Sequence, residues 1–263
     1  MAAPRSTRAP APRRALPIAA GLGALRALKT SESVARDIVD AIVRRQLSEG
    51  DGLPSEAAML EQYGVSRESL REGLRLLEVQ GLISIRRGPG GGPIVGSVDP
   101  ANLGRTSTLY YHLAGATYAE LFDAWEAAEI AIAELAARNP DRQAVRAAMA
   151  PYRPATAEHR GTIEEFVTTH TEFHTVLAML TRNKVMQLSL MAIGQIVTHH
   201  VVIDFDPRDA AEMIDADHRR IAEAVAAGHP RQARDLMATH IRAVVATYER
   251  EIGSQLDALI EWR

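Results

Sequence analysis

The stretch LPSEAAMLEQYGVSRESLREGLRLLEVQGLISIRRGPGGG, residues 53–92, decides the fold of the first part of this chain. Ser55 and Ser66 each precede a run of helix-forming residues, which is where N-cap residues lie. Gly64 separates the two runs and permits a tight turn, because glycine adopts positive φ at little cost. The segment therefore predicts a helix, a short turn and a second helix.

The second of these helices has an apolar face and a basic face. Leucines three or four residues apart define the apolar face, at Leu70, Leu74 and Leu77. Arginines four residues apart define the adjoining face, at Arg67, Arg71 and Arg75. Such a row of arginines is, taken alone, most often a solvated helix surface, so its meaning depends on the elements around it.

Those surrounding elements favour DNA contact. The preceding segment 31–51 has apolar residues at helical spacing, and the following segment 81–98 changes to the alternating period of two short strands. Glycines supply the hairpin tip, and Arg86 and Arg87 lie at its root, so the hairpin extends two guanidinium groups as a wing. An arginine face on the second helix of a helix-turn-helix, followed by a basic wing, is typical of DNA-binding modules.

Residues 53–92 resemble the winged helix-turn-helix of the GntR family of bacterial transcription regulators, through the LPSE opening, the GVSR turn, the LRE core and the passage to the wing. The resemblance implies that Arg67 and Arg71 contact DNA, with Ser66 and Ser69 on the DNA backbone and Gly88 at the wing. We also expect Arg75, Arg86 and Arg87 on the DNA-binding surface. Family members usually have arginine after the LPSE glutamate, whereas this chain has Ala57, which removes one expected contact.

Arginine suits this role because its planar fork bonds bidentately to guanine in the major groove. One module reads too few base pairs for a specific site. We therefore expect a homodimer that binds double-stranded DNA at a palindromic operator.

The composition excludes several kinds of bond and binding site. The chain has 263 residues and no cysteine, so disulfides and thiolate metal sites are excluded, and histidine and carboxylate remain as strong metal ligands. The formal net charge is only -3, so any DNA-binding surface must be local. No stretch has the roughly 18 apolar residues of a membrane span.

The chain divides into five segments. Residues 1–28 are basic, proline-rich and without acidic residues, which predicts a disordered arm. Arg13 and Arg14 before an apolar run resemble a weak export leader, but proline and glycine interrupt that run, and we expect a cytoplasmic protein. The remaining segments are, in order, a DNA-binding domain at 29–98, a linker at 99–108, an effector- and metal-binding helical domain at 109–252 and a helix end at 253–263. The predicted fold is mainly α, with three helices and a hairpin wing followed by an all-α bundle of six to seven helices.

The histidines of the helical domain raise the question of a metal site. His170 and His174 are four residues apart in TTHTEFHTVL and share one helix face. His218 and His240 lie on two later helices, each with apolar neighbours at helical spacing. Helical bundles host metal sites of this kind, but a buried histidine is more often a hydrogen-bonded core residue. The residues alone leave both interpretations open.

The helical domain is similar to the FCD effector domain of FadR-type GntR regulators. HTEFH, DADH and MATH match the ligand motifs of that domain, which implies metal-ligand roles for His174, His218 and His240. His170 occupies the position of the usual aspartate and is a fourth candidate ligand. An all-imidazole set favours zinc or nickel over magnesium or calcium.

The same resemblance implies a small-molecule effector, with a small carboxylate as the expected class. The family often has arginine in the first bundle helix where this chain has Trp125, which either fills core or contacts a more apolar effector. His199 and His200 could line the same cavity or lie exposed. The expected protein is a ligand-responsive repressor and not an enzyme.

Two alternatives use the same histidines. A regulator could sense the metal itself. A zinc hydrolase would need a general base beside the metal, and Glu172, two residues from both His170 and His174, faces away from them.

Overall fold

The computed structural model describes residues 16, 18, 28–88, 90–153, 162–200 and 207–262. Along the chain, the structure divides between Gly104 and Arg105 into two compact units. Most of the predicted arm, residues 1–28, lies outside the described residues. Among the described helices, none combines the length and the apolar character needed to cross a membrane.

The first unit has the predicted winged helix-turn-helix architecture. Its elements are α1 Thr30–Arg44, α2 Glu56–Tyr63, α3 Arg67–Val79, β1 Ile83–Arg86 and β2 Gly92–Val95. The strands pair antiparallel in a register that sets Ile83 opposite Val95. Gly64 adopts φ 62° at the end of α2, as the turn requires.

The core of this unit lies where α1 and α3 pack on each other. Leu70, Leu74 and Leu77 are buried, which confirms the apolar face predicted for α3. In α2, Met59 is fully buried and Leu60 is partly buried. Val43 shares the helical spacing of the α1 core residues, yet it is 69% exposed because it lies in the last turn of α1, beyond the packed part of that helix.

The second unit is the predicted bundle of helices. Its helices are α4 Pro100–Ala114, whose first turn precedes Arg105, and α5 Tyr118–Ala137, α6 Arg142–Met149, α7 Ile163–Leu180, α8 Lys184–His200, α9 Ala211–Ala227 and α10 Pro230–Ile252. Short 3-10 turns occur at Ala150–Tyr152, Pro207–Ala210 and Gly253–Gln255. Helix α5 packs against α7, α8, α9 and α10, so it is the central helix of the bundle.

The segment predicted as a linker, 99–108, is helical from Pro100 onward. Proline is favoured in the first turn of a helix, where its missing N–H costs nothing. The Asp99 side chain accepts a hydrogen bond from the Ala101 N–H at 2.9 Å, which satisfies one of the free donors of that turn. The start of α4 is therefore well capped, a signal that the prediction overlooked.

Residues 253–263 were predicted to be the end of the last helix. They do not extend α10. The helix ends at Ile252, and Gly253 follows with φ 50°. The chain then runs back along the start of α5, where Leu259 pairs with Thr117 and the Ile260 N–H donates to the Ala116 carbonyl at 2.9 Å. Ile260 is buried in the bundle core. Burial of this side chain favours the return path over a longer exposed helix.

Candidate metal centre and DNA-reading face

Three helices bring four imidazole rings together in the bundle. Helix α7 presents His170 and His174 on one face, α9 contributes His218 and α10 contributes His240. One ring nitrogen from each residue can be chosen so that all four lie within 4.8 Å of one another. The four candidate ligands therefore lie close together.

The cluster is enclosed. His174, His218 and His240 are buried, and His240 has no exposed surface. His170 is half-buried, although its Nδ1 is shielded from solvent. The ring of His170 stacks on that of His218 with centroids 4.9 Å apart, and Phe173 stacks on His218 at 3.9 Å. Neighbouring side chains thus fix the ring orientations.

A buried carboxylate orients the second histidine. Glu129 of α5 is 1% exposed, and its Oε2 accepts a hydrogen bond from His174 Nδ1 at 2.8 Å. Its other oxygen, Oε1, accepts from the indole Nε1 of Trp125 at 3.1 Å. In the neutral ring with its proton on Nδ1, the lone pair lies on Nε2, which has no hydrogen-bond partner. Metal-binding histidines characteristically have such a carboxylate on the opposite nitrogen.

A second carboxylate lies near the cluster. Asp217 Oδ2 is 3.4 Å from His240 Nδ1, which is too long for a strong hydrogen bond, and both nitrogens of His240 are without one. Burial lowers the pKa of His240, and the nearby Asp217 partly opposes this change. Asp217 therefore lies close to His240, but it makes no hydrogen bond that would fix the tautomer of this ring.

The electrostatic environment keeps His170 and His218 neutral. Burial lowers the pKa of His170 and of His218 well below 6.5, and the neighbouring imidazoles lower both further. A neutral imidazole has a free lone pair, which is the form that binds metals. At neutral pH His170 and His218 are thus in the protonation state that a metal ion requires.

The residues fit a transition-metal ion. Five ring nitrogens in the cluster are buried without a hydrogen-bond partner: His170 Nδ1, His174 Nε2, His218 Nε2 and both nitrogens of His240. Each such group costs about 1–3 kcal/mol, so their concentration in one place favours an occupant. In a tetrahedral site whose ligands lie about 2.0–2.1 Å from zinc, neighbouring ligand atoms are about 3.4 Å apart. Because the four chosen nitrogens lie within 4.8 Å of one another, the most separated pair must approach by up to about 1.4 Å.

A cavity of about 40 Å³ adjoins the cluster, enough for roughly three water molecules. His170, His174 and Glu129 form its polar side, and Trp125, Phe166 and Ile214 are among its apolar lining. Trp125 is 4% exposed and stacks on Tyr248 with ring centroids 6.2 Å apart. Trp125 thus belongs both to the core and to the cavity wall.

The other two residues predicted for the effector pocket are not among the lining residues of this cavity. His199 is exposed, and its Nδ1 donates to the Gln195 carbonyl at 2.8 Å. His200 is buried, and its Nδ1 lies 3.1 Å from the hydroxyl of Tyr118. Both residues lie in the last turn of α8, past Val197 and Thr198, which do line the cavity.

Glu129 was missed by the sequence analysis, although a signal was available. Phe122, Trp125, Ile132 and Ala136 are buried on one face of α5. Glu129 lies four residues after Trp125 and three before Ile132, so this spacing indicates a carboxylate that points inward. A buried acid needs a partner, and a histidine or metal site is the usual one.

The predicted DNA-reading residues of α3 lie on its exposed side. Arg67, Arg71 and Arg75 are exposed, while Ser66 caps the helix by accepting the Ser69 N–H at 3.1 Å. Arg71 also forms an ion pair with Glu56 of α2, with Nε 2.9 Å from Oε1. This pair ties the guanidinium to the adjacent helix and limits its orientations.

The wing places its basic residues at the turn of the hairpin. Arg86, Arg87 and Gly88 are exposed, and Gly88 adopts φ 99°, which a residue with a side chain rarely does. The exposed arginines of α3 and the wing belong to one compact unit. Such an arrangement can contact base edges through the helix and phosphates through the wing.

Comparison with known proteins gives the family. Residues 30–91 match the family described as "Bacterial regulatory proteins, gntR family", and residues 120–243 match the FCD domain. The HTH-type transcriptional regulator Rv0494 of Mycobacterium tuberculosis is 42% identical over 62 residues, which are 24% of this chain and 26% of that protein.

A longer alignment exists with the HTH-type transcriptional repressor NanR of Cronobacter sakazakii, 27% identical over 165 residues and 60% of each chain. The chain thus spans from about a quarter to three fifths of these curated relatives. A solved structure of Streptococcus agalactiae GntR aligns with a TM-score of 0.59 and 25% identity, over 81% of this chain and 98% of that one. The chain therefore belongs to the GntR family of bacterial regulatory proteins and carries an FCD domain, in a family of transcription regulators rather than enzymes.

Proposed function

We propose that this protein is a ligand-responsive transcription regulator that represses its target genes from a palindromic operator. In this proposal it acts in the cytoplasm as a homodimer, and a small carboxylate metabolite bound at a zinc or nickel centre in the FCD domain controls its affinity for DNA. The observation that carries the proposal is the convergence of four buried imidazoles in a chain that also has an exposed arginine face on a recognition helix.

The donor set supports a transition metal. His170, His174, His218 and His240 would hold the ion, with Glu129 orienting His174. Nitrogen donors suit zinc and nickel better than the hard ions magnesium and calcium. When bound, the ion would supply a positive charge able to attract the carboxylate of an effector.

The DNA-binding unit supports operator recognition. Arg67, Arg71 and Arg75 of α3 are the proposed base-reading and phosphate-binding residues, and Arg86, Arg87 and Gly88 of the wing would add backbone contacts. Ser66 and Ser69, at the N-terminus of α3, would contact the DNA backbone, since the N–H groups of a helix N-terminus bind phosphates. Repression is supported by the relatives that are named repressors.

Site selection from random DNA tests this function. Full-length zinc-loaded protein is expected to enrich a sequence with two half-sites related by twofold symmetry, and light scattering is expected to give two chains per duplex. A single unsymmetric half-site bound by one chain would contradict the proposed dimer and operator.

One observation favours a second candidate, a regulator that senses the metal itself. Because His170 replaces the aspartate expected from the family, the protein can supply four imidazoles, enough to complete a tetrahedral zinc site. A metal sensor would change its operator affinity on zinc or nickel addition alone. A ligand-responsive regulator would need an added carboxylate for the same change, so titrating the two separately distinguishes them.

A further inference from the structure

The cavity beside the histidine cluster has an unusual balance of charge for a carboxylate site. Among the described residues that line it, none is lysine or arginine. Glu129 is the one acidic residue of this described lining. Arg219 follows the proposed ligand His218 in the sequence but does not line the cavity. An anionic effector therefore meets no cationic side chain in the described lining.

The rest of the wall is mostly apolar. Phe166, Val167, Val197 and Ile214 line it together with the stacked rings of Trp125 and Tyr248. With a volume of about 40 Å³, the cavity suits a ligand of only a few heavy atoms. A short hydrocarbon chain is compatible with such a wall, whereas a second charged group is not.

Trp125 contributes most directly to the apolar, cation-free wall of the described cavity lining. Its single donor, Nε1–H, is already bonded to Glu129 Oε1 at 3.1 Å, so it is not available to an incoming anion. Both oxygens of Glu129 are likewise engaged, one by Trp125 and one by His174. The buried negative charge consequently stays in the wall and opposes any anion that is not paired with a cation.

We infer that the effector is a small monocarboxylate with an apolar remainder, held electrostatically by the metal ion and by no cationic side chain of the described lining. The inference rests on the proposed function, since it needs the metal centre described above. It makes Trp125 the residue that excludes dicarboxylates, because a second carboxylate would be buried beside Glu129 without a partner.

Calorimetric titration of the full-length protein with two acids of equal carbon number tests the inference. Zinc content is measured first, so that failure of the metal centre is seen separately from failure of the ligand assignment. Zinc-loaded protein is expected to bind butanoate at least about 100-fold more tightly than succinate. Zinc-free, folded protein is expected to lose at least about 30-fold in butanoate affinity.

Other results would overturn the inference. These are equal binding of succinate, unchanged butanoate binding by zinc-free protein, or no binding of either acid to zinc-loaded protein. If the protein binds no zinc, the proposed metal centre fails as well, and the metal analysis reports that independently.

The variant Trp125→Arg tests the residue assigned to this selectivity. A guanidinium has five N–H donors and can pair with Glu129 while still reaching a ligand carboxylate. The folded, zinc-loaded variant is expected to bind succinate at least about tenfold more tightly than the unmodified protein does. Trp125→Phe, which keeps the aromatic wall without adding charge, is the matched control and should still prefer butanoate. Unchanged succinate affinity in the arginine variant would contradict the role of Trp125.

Discussion

His174 Nδ1 lies 2.8 Å from Glu129 Oε2, and this hydrogen bond is buried between α7 and α5. The bond fixes which nitrogen of His174 carries the proton and turns the other nitrogen toward the histidine cluster. It also links the candidate metal centre to the central helix of the bundle. A shift of His174 on metal binding would therefore also move Glu129 of α5.

The first prediction concerns this carboxylate. Glu129→Gln keeps the size of the side chain but presents an N–H₂ group to one of its two donors, Trp125 or His174. We expect the affinity for zinc to fall about 10–100-fold, as when other carboxylate partners of metal-bound histidines are changed. Competition with a chelator of known zinc affinity measures the change.

Glu126→Gln is the matched control on the same helix. Glu126 forms a surface ion pair with Arg242 at 2.7 Å and does not line the cavity. Its replacement should leave zinc affinity unchanged. Equal zinc affinity in the Glu129→Gln variant and the unmodified protein would show that the carboxylate does not orient the ligand.

The second prediction concerns the recognition helix. Arg67→Ala is expected to weaken binding to the selected operator by about 1–3 kcal/mol, because one bidentate contact to a base is lost. Binding to unrelated DNA should weaken much less. Fluorescence anisotropy with both duplexes measures the two affinities, and Arg36→Ala, an exposed arginine of α1, serves as the control. A loss of equal size on both duplexes would reassign Arg67 to phosphate binding.

The third prediction concerns pH. The pKa of His170 and of His218 is lowered well below 6.5 by burial, so the native state binds fewer protons than the unfolded state. Above pH 6.5 these two groups do not reduce the free energy of unfolding. As the pH falls below 6.5 toward the native pKa, protons bind the unfolded state first, and the free energy of unfolding decreases. We expect the unfolding free energy of the metal-free protein to fall by up to about 1.4 kcal/mol per imidazole per pH unit.

Urea denaturation with a chelator present, at intervals from pH 8 to pH 5.5, measures this dependence. The double variant His170→Gln, His218→Gln should have a shallower slope below pH 6.5, since the carboxylates that also titrate there are common to both proteins. Identical slopes for the two proteins would mean that these imidazoles do not resist protonation.

The fourth prediction concerns the returning C-terminal segment. Ile260→Ala is expected to lower the unfolding free energy by about 2–5 kcal/mol, because Ile260 is 1% exposed and packs in the bundle core. Trp262→Ala, at a position that is 62% exposed, should cost much less. Denaturation curves of both variants measure the difference. Equal, small effects would indicate that the segment does not pack as described.

Much of the secondary structure could be predicted from signals that are local in the sequence. Ser66 as an N-cap, Gly64 as a turn and the leucine face of α3 were readable because each depends on nearby residues in the chain. The convergence of His170 and His174 with His218 and His240 was anticipated through the family motifs. Spacing along one helix does not by itself establish how close the other helices come.

The parts that the sequence analysis missed depend on tertiary contacts. The ion pair of Arg71 with Glu56 joins two helices and leaves no periodic signature. The reversal after Gly253 is decided by the burial of Ile260 against distant helices. The inward position of Glu129 could have been predicted, since this residue lies within the apolar stripe of α5. Its hydrogen bonds to Trp125 and His174, which stabilise the buried carboxylate, could not.

The measurement that tests the central claim most directly is elemental analysis of purified native protein beside the variants His174→Ala and His240→Ala. His199→Ala is the control, because His199 is exposed and is outside the cluster. The account predicts about one zinc or nickel ion per chain, lost in the two cluster variants and kept in the control. Folded, dimeric native protein that holds no metal, even after incubation with zinc or nickel, would contradict it.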